Sequence, residues 1–405
     1  MGNMKLYVGI DVHKRVQVST ILSLPVLKNK SNEWKKVKPI LIKNNIKDYE
    51  SLHKAIHRQA KDASSVSIAV DRTGSYSLPI VHFLVSKEYK VYFLTNQSVK
   101  AAKERLLKEE NKTDKLDSAI LAYLMYLRDY HGLSLNISAT QPDLESHASL
   151  LRSLVLQRAQ YVRLEVQATN RLHQYLLVVF PEGEMNYFSQ LLRIAPYYPT
   201  PKDILYNGLT GIEKITEKDR KSIIALAQDT VGVPGDPYRW IISDLCEQRS
   251  DAHHKVLLIS RQIKKEVEAH PYGTILRSFP FVGDVIAATL IGIVKDISYW
   301  PNDKTLKKVL GVYGREYISG ASPPVRRPGK SGNRAGKVAL FQACIGCVKK
   351  TASPNDFKDY YERQLGHNKI WIQAMANTAG KMAEIMYHCL KTGVKYQYQC
   401  KYKVP

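Results

Sequence analysis

The sequence predicts a mixed α/β domain followed by two largely helical regions, and three observations carry that prediction. Short β-branched runs alternate with helical patterns only in the first third of the chain. From residue 144 onward apolar residues recur at spacings of three and four. The last third opens on a turn bearing Pro and Gly just before an apolar helix. The 405 residues accordingly divide into 1–135, 136–270 and 271–405, each long enough to bury a core.

Leu6–Val12, Val16–Leu22 and Val37–Ile42 are apolar runs broken by charged or turn residues, and they predict three strands. A helical pattern from Ile46 to about Lys61 follows, then the strand Val66–Val70, a helix from Tyr76 to about Lys87, a fifth strand over Lys90–Thr95, and helices through Tyr130. Three strands, then helix, strand, helix, strand, is the order of an RNase H-like sheet, in which the first and fourth strands are neighbours.

Between Leu144 and Phe180, Leu151, Leu154, Val155, Val162, Val166 and Leu172 keep helical spacing, with Arg152, Arg158, Arg163 and Arg171 interleaved. A second amphipathic run spans Trp240 to about His270, beyond an insert with Tyr and Pro clusters over Asn186–Asp236. Two such helices pair as an antiparallel coiled-coil arm or sit inside an ordinary bundle. From Tyr272 a mostly α-helical C-terminal domain is expected. Its segment Ser278-Phe-Pro-Phe-Val-Gly-Asp-Val-Ile-Ala-Ala-Thr-Leu290 has the shape of a helix-hairpin-helix, whose backbone N–H groups grip a phosphate. A basic, Gly/Pro-rich loop is expected over Gly311–Gly336, then two apolar helices over Lys337–Lys349 and Ile370–Leu390. Cys344 and Cys347 fall on the first of these with no second pair nearby, which suits buried thiols better than zinc.

The charge balance narrows the partners. Lys and Arg number 60 against 37 Asp and Glu, a net +23, and a surplus that large attracts polyanions, nucleic acid above all. Asp11 interrupts the one apolar N-terminal stretch, no run reaches membrane length, and the five cysteines form no evenly spaced framework. A cytoplasmic protein with no membrane partner is expected.

Asp11 closes the first strand in Lys5-Leu-Tyr-Val-Gly-Ile-Asp-Val-His-Lys14, and Asp71 closes the fourth. Lys112-Thr-Asp-Lys-Leu-Asp117 sets Asp114 and Asp117 three residues apart on one face of a helix start. Helix capping by Thr113 or Asp114 explains one acid at most. Phosphodiester cleavage is served by two divalent ions about 4 Å apart, and hard Mg²⁺, or Mn²⁺ in its place, prefers carboxylate oxygens. Asp11, Asp71, Asp114 and Asp117 are therefore the candidate metal ligands and catalytic acids.

Those residues also carry a resemblance. Gly9-Ile-Asp-Val-His-Lys14, Asp71-Arg-Thr-Gly74 and Lys112-Thr-Asp-Lys-Leu-Asp117 are joined by Asn170-Arg-Leu172, Phe180-Pro181, Tyr198-Pro-Thr-Pro201, Phe281-Val-Gly283, Ser319-Gly320 and Gly332-Asn333. Together they resemble the bridge-RNA-guided insertion-sequence transposases, recombinases with a RuvC-like DEDD domain that are related to pilin-type DNA invertases. The resemblance covers most of residues 5 to 390. It implies that the four acids hold Mg²⁺ and that a serine of the C-terminal domain attacks DNA, forming a covalent 5′-phosphoserine intermediate. It also implies a structured guide RNA paired with donor and target DNA, and a homo-oligomer, dimer or tetramer. By position the nucleophile is Ser319, in Tyr317-Ile-Ser-Gly320 beside Arg315, Arg326 and Arg327, with Ser322 and Ser331 as alternatives. Two departures stand out. Asp71 occupies a place where the family usually has Glu, one methylene longer, and Ala321-Ser-Pro-Pro324 replaces the family's Gly and Lys after the Ser-Gly pair.

Other functions use parts of the same set. The acids alone suit a site-specific DNA invertase or a RuvC-like junction nuclease without guide RNA, and Ser319 separates recombinase from nuclease because hydrolysis needs no covalent intermediate. An actin-like ATPase also begins Gly-Ile-Asp, but it wants further Gly-rich nucleotide loops after residue 74.

Overall fold

The computed structural model describes residues 5–28, 33–71, 74–94, 99–100, 114–133, 137–138, 147–317, 325–328 and 332–398, with the backbone alone at 74–75, 114–115, 137–138, 315–317 and 325–328. The chain forms two compact units, Met1–Glu145 and Ser146–Pro405. The second unit contains both the segment expected to form a helical arm and the C-terminal segment.

In the first unit six strands form one mixed sheet in the order β3-β2-β1-β4-β5-β6: β1 (Leu6–Asp11), β2 (Val16–Ser23), β3 (Ile40–Lys43), β4 (Val66–Asp71), β5 (Lys90–Leu94) and β6 (Ile137–Ser138). β1 is antiparallel to β2 and parallel to β4, so the first and fourth strands are neighbours. Its helices are α1 (Leu24–Lys28), α2 (Ile46–Gln59), α3 (Leu78–Ser86) and α4 (Asp114–His131).

Side-chain alternation sorts the strand residues into two cores. Leu6, Val8 and Ile10 of β1 pack with Leu52 and Ile56 of α2 and with Ile80 and Leu84 of α3. Tyr7 and Ala69 face the other way, into a core with Trp34 and Ala119–Met125 of α4. A sheet covered on both faces is why β1 and β4 are almost continuously apolar. β3 starts at Ile40 rather than Val37, because Val37 packs against the α4-side core instead of pairing with β2. The five-residue α1 and the turn at Glu33–Lys36, which stacks Trp34 on Tyr123 at 4.4 Å between ring centroids, are too short to leave a helical period in the sequence.

The second unit is mostly helical. Its spine is α5 (His147–Val179), and the chain turns back through α6 (Pro181–Ile194), α7 (Pro201–Asn207) and α8 (Glu217–Gln228) into α9 (Arg239–Ala269). α5 and α9 run antiparallel. Ala148 and Leu151 share one core with Ile263 and Val267. Leu172 and Leu176 share another with Ile242 and Leu245. Buried Ile242, Leu245, Ala252, Val256, Ile263 and Val267 follow steps of three, seven, four, seven and four, the spacing of a seam between paired helices. Between the two cores the seam also carries polar contacts: Arg158 Nε donates to Ser260 Oγ at 2.8 Å, and Glu165 Oε1 lies 2.9 Å from His253 Nδ1.

Around the core that Leu151 shares with Ile263 pack α10 (Pro271–Leu276), α11 (Asp284–Val294), α12 (Asp303–Val309), α13 (Arg334–Cys347), α14 (Asp356–Gly366) and α15 (Trp371–Thr392). The stretch Gly311–Gly336, expected as a loop, instead contains a two-stranded hairpin, β7 (Gly314–Tyr317) and β8 (Val325–Pro328). Its strand sequences are basic and carry a proline, so no apolar alternation betrays them. No helix among the described residues is long and apolar enough to cross a membrane.

Candidate active site

The ladder between β1 and β4 runs from Leu6–Val66 to Ile10–Val70, which brings Asp11 and Asp71 to adjacent strand ends. Parallel neighbours lie about 4.8 Å apart. Asp11 shares its face with Gly9 and Tyr7, and Asp71 shares its face with Ala69. Both carboxylates therefore lie on the side covered by α4. Asp71 Oδ1 accepts the Val12 backbone N–H at 2.9 Å, and His13 Nε2 lies 3.3 Å from Asp11 Oδ2. Asp11 is buried at 8% exposure. Burial pushes the Asp71 carboxyl up to about 6, the charge of Asp11 adds to the rise, and the Val12 N–H and His13 oppose it. Two carboxylates brought together out of water favour a cation between them.

α4 lies antiparallel to β1 along this face. Tyr7 Oη donates to Asp129 Oδ2 at 3.2 Å, and the Tyr7 and Tyr126 rings meet edge-on at 6.0 Å. One step along the strand, a Cβ on Gly9 would stand 1.9 Å from the Ser118 carbonyl oxygen and 2.6 Å from the Ala122 nitrogen. Beside them Thr20 Oγ1 and Ser118 Oγ share a hydrogen bond at 2.7 Å. Each step towards the end of β1 thus runs back along α4, and the first turn of the helix, Asp114–Asp117, comes towards Asp11. Sequence reasoning overlooked Gly9, although a glycine inside an apolar strand signals close backbone approach.

The arrangement is partial. Among the described residues no three His, Cys, Asp or Glu side chains gather closely enough to hold a metal ion. The side chain of Asp114 lies outside the described residues, and Asp117 is half-buried. The pair Asp11–Asp71 is what the fold brings together in detail. Ser319, Ser322 and Ser331 also lie outside the described residues. The backbone ladder pairs Arg315 with Arg327 and Glu316 with Arg326.

Other expected sites resolve differently. Cys344 is buried with its Sγ 4.0 Å from Met382 Sδ, and Cys347 Sγ donates to the Pro280 carbonyl at 3.6 Å. Burial raises both thiols, that of Cys347 to about 12, so they act as core residues. The hairpin after α10 places Gly283 at the N-cap of α11 with no side-chain cap, and Phe281 adopts φ +60° and packs over Gly346. Of the interleaved arginines, Arg158 is engaged by Ser260, and the stem of Arg152 rests on Gly292 of α11.

Residues 8–181 match a family model described as Transposase, of the DEDD IS110 type, and residues 273–362 match the Transposase IS116/IS110/IS902 family model. An uncharacterized 43.6 kDa protein of insertion element IS110 from Streptomyces coelicolor is 29% identical over 174 residues, 43% of this chain and 42% of that one. An uncharacterized 44.8 kDa protein of insertion element IS116 from Streptomyces clavuligerus is 23% identical over 348 residues, 82% of this chain and 84% of its length.

Proposed function

We propose that the chain is a transposase of the kind described by the IS110 and IS116/IS110/IS902 family models it matches, and that it moves an insertion sequence by metal-dependent DNA strand exchange through a covalent phosphoserine. The observation that carries this reading is the pair of buried Asp11 and half-buried Asp71, on one face at adjacent strand ends with the acidic first turn of α4 approaching it. The strand order suits an RNase H-like, RuvC-like fold. A partly buried carboxyl held near 6 beside a second carboxylate is a donor set fit for hard divalent cations, and Asp11, Asp71, Asp114 and Asp117 would hold them. When bound, Mg²⁺ polarises the phosphoryl oxygens and stabilises the leaving oxygen.

The chain's own residues do the rest. The Ser319 hydroxyl attacks phosphorus, its O–P bond forms, and the bond from phosphorus to the 3′ oxygen breaks. The serine's proton is lost as the leaving oxygen gains one, and attack by a different 3′-hydroxyl on the phosphoserine rejoins the strand. No net hydrolysis occurs, so the exchange needs no external energy source. A basic surplus of +23 supports DNA as donor and target and a structured guide RNA as partner. Joint cutting of several strands supports a homo-oligomer.

The test is a strand-exchange assay with the element's end, a target duplex and the transcript of the element's non-coding flank. Wild-type protein should form a protein–DNA adduct that Ser319→Ala removes and Asp11→Asn or chelator suppresses. An adduct mapping by mass spectrometry to Ser322 or Ser331 moves the nucleophile. Cleavage with no adduct in any active sample makes the protein a junction nuclease, and full activity without RNA makes it an unguided invertase.

A further inference from the structure

We propose that a cavity of about 520 Å³ in the second unit, between α12, α14 and α15, is a subsite for one nucleotide of the DNA strand. The cavity is lined wholly by residues of the second unit, and the family models that match the chain do not assign it. That the strand is DNA rests on Ser319 as the nucleophile; that the ligand is a nucleotide rests on the cavity itself.

Its floor is made by small residues. Ala376 and Gly380 lie four apart on α15 and so share a face, leaving open space where longer side chains would stand. A Cβ on Gly380 would meet only the Val312 carbonyl oxygen, at 3.4 Å, so backbone crowding does not demand glycine there. Two walls are aromatic, Tyr313 and Tyr360. Both rings are already associated with cations, Lys308 Nζ at 5.2 Å from the Tyr313 centroid and the Arg363 guanidinium at 5.5 Å from that of Tyr360.

The charged lining separates holding from binding. Lys307 sits between Asp303 at 2.6 Å and Glu384 at 3.2 Å with its side chain 15% exposed, so its charge is balanced in place. Lys381 touches Glu384 at 2.7 Å, yet its side chain is 39% exposed and an ammonium has three donors. Lys304 is exposed at the rim. Glu384 positions two lysines, and phosphate is left to Lys304 and Lys381. Tyrosine rings in the walls and lysines for a phosphate, around a hollow of mononucleotide size, are what a single strand requires. A lysine patch without the rings would track the backbone only.

Position identifies the strand. Gly314 lines the cavity and opens β7, and Ser319 is five residues on, within about 18 Å of chain at full extension. A nucleotide anchored here lies on the strand that the serine would attack, close to the phosphate being exchanged.

The test uses the full chain and a short fluorescent oligothymidylate, with affinity read by anisotropy over a salt series. Gly380→Leu, which fills the hollow, and the double variant Lys304→Ala with Lys381→Ala should each weaken binding about tenfold or more, as removing a stacked base or the cations that face its phosphate does. The lysine variant should also flatten the salt slope by about 0.7 for each phosphate no longer neutralised, and Lys350→Ala, exposed elsewhere, should change little. Thermal melts establish that each variant folds; should Gly380→Leu unfold, the lysine pair decides. Unchanged affinity in folded variants overturns the subsite while leaving the strand-exchange reading intact. A loss confined to an oligouridylate RNA of the same length overturns the assignment to DNA. Normal sensitivity to Gly380 in a protein that never forms a serine adduct keeps the nucleotide site and removes the serine chemistry.

Discussion

Gly9 sets how closely α4 approaches β1. Its missing side chain lets the Ser118 carbonyl of α4 lie directly on β1. Gly9→Ala forces that helix away from the sheet, with a cost of about 3 kcal/mol by analogy with overpacked cores. Urea melts should show a lowered midpoint, and strand exchange should fall further than the lost stability explains. Asp11→Asn acts differently. It removes one of two neighbouring charges, so the apo fold should be retained or slightly stabilised. Mg²⁺ should raise the melting temperature of the wild-type chain, by about 2–3 kcal/mol of stabilisation at a hundredfold excess over its dissociation constant, and Asp11→Asn should abolish that rise. An equal Mg²⁺ shift in the variant would remove Asp11 from the metal site.

At the scale of elements, the joint between α9 and α10 is expected to respond to pH. His270 caps α10: its Nδ1 accepts the Tyr272 N–H at 3.1 Å, which requires an unprotonated nitrogen. The ring of His147, bonded to Glu266, lies tilted beside it at 5.2 Å between centroids. Burial, and then His147, lower His270 from 6.5 to about 4. The unfolded chain therefore binds a proton as pH falls through 6.5, while the folded chain resists until about 4. Stability from this residue is complete above 6.5, declines through the window, and is lost as pH falls through 4. His270→Asn keeps a capping acceptor without the titration, so its melting temperature should change less between those limits than that of the wild type. A parallel pH profile in the variant would assign the slope to other groups.

For the whole molecule, net charge governs affinity more than any single contact. With +23 spread over the chain, binding to duplex DNA should weaken steeply with salt, log K falling by about 0.9 per phosphate neutralised for each unit of log salt. Salt-independent binding would leave the basic surplus without a nucleic-acid role. Asp11 and Ser319 belong to different compact units. Mixing Asp11→Asn with Ser319→Ala protein tests whether one chain must carry both. Partial recovery of strand exchange is expected from an oligomer, and none from a monomer.

Much of the molecule was legible because its signals are local. Strand-length apolar runs ending in Asp11 and Asp71, the order of strands and helices, and the two long amphipathic helices are each written within a few consecutive residues or one helical period. Composition by itself gave the basic surplus of +23. Tertiary structure decided what depends on partners distant in sequence. The hairpin β7–β8 lacks apolar alternation in sequence, and the pairing of its backbones is what defines it. The closeness of α4 to β1 is set by the absence of a single side chain, Gly9, and shows only when Ser118 is brought across from more than a hundred residues away. The raised Asp71 carboxyl follows from burial between strands that the sequence separates by some sixty residues. The cavity at Gly380 is empty space, which no residue spells out and only packing encloses.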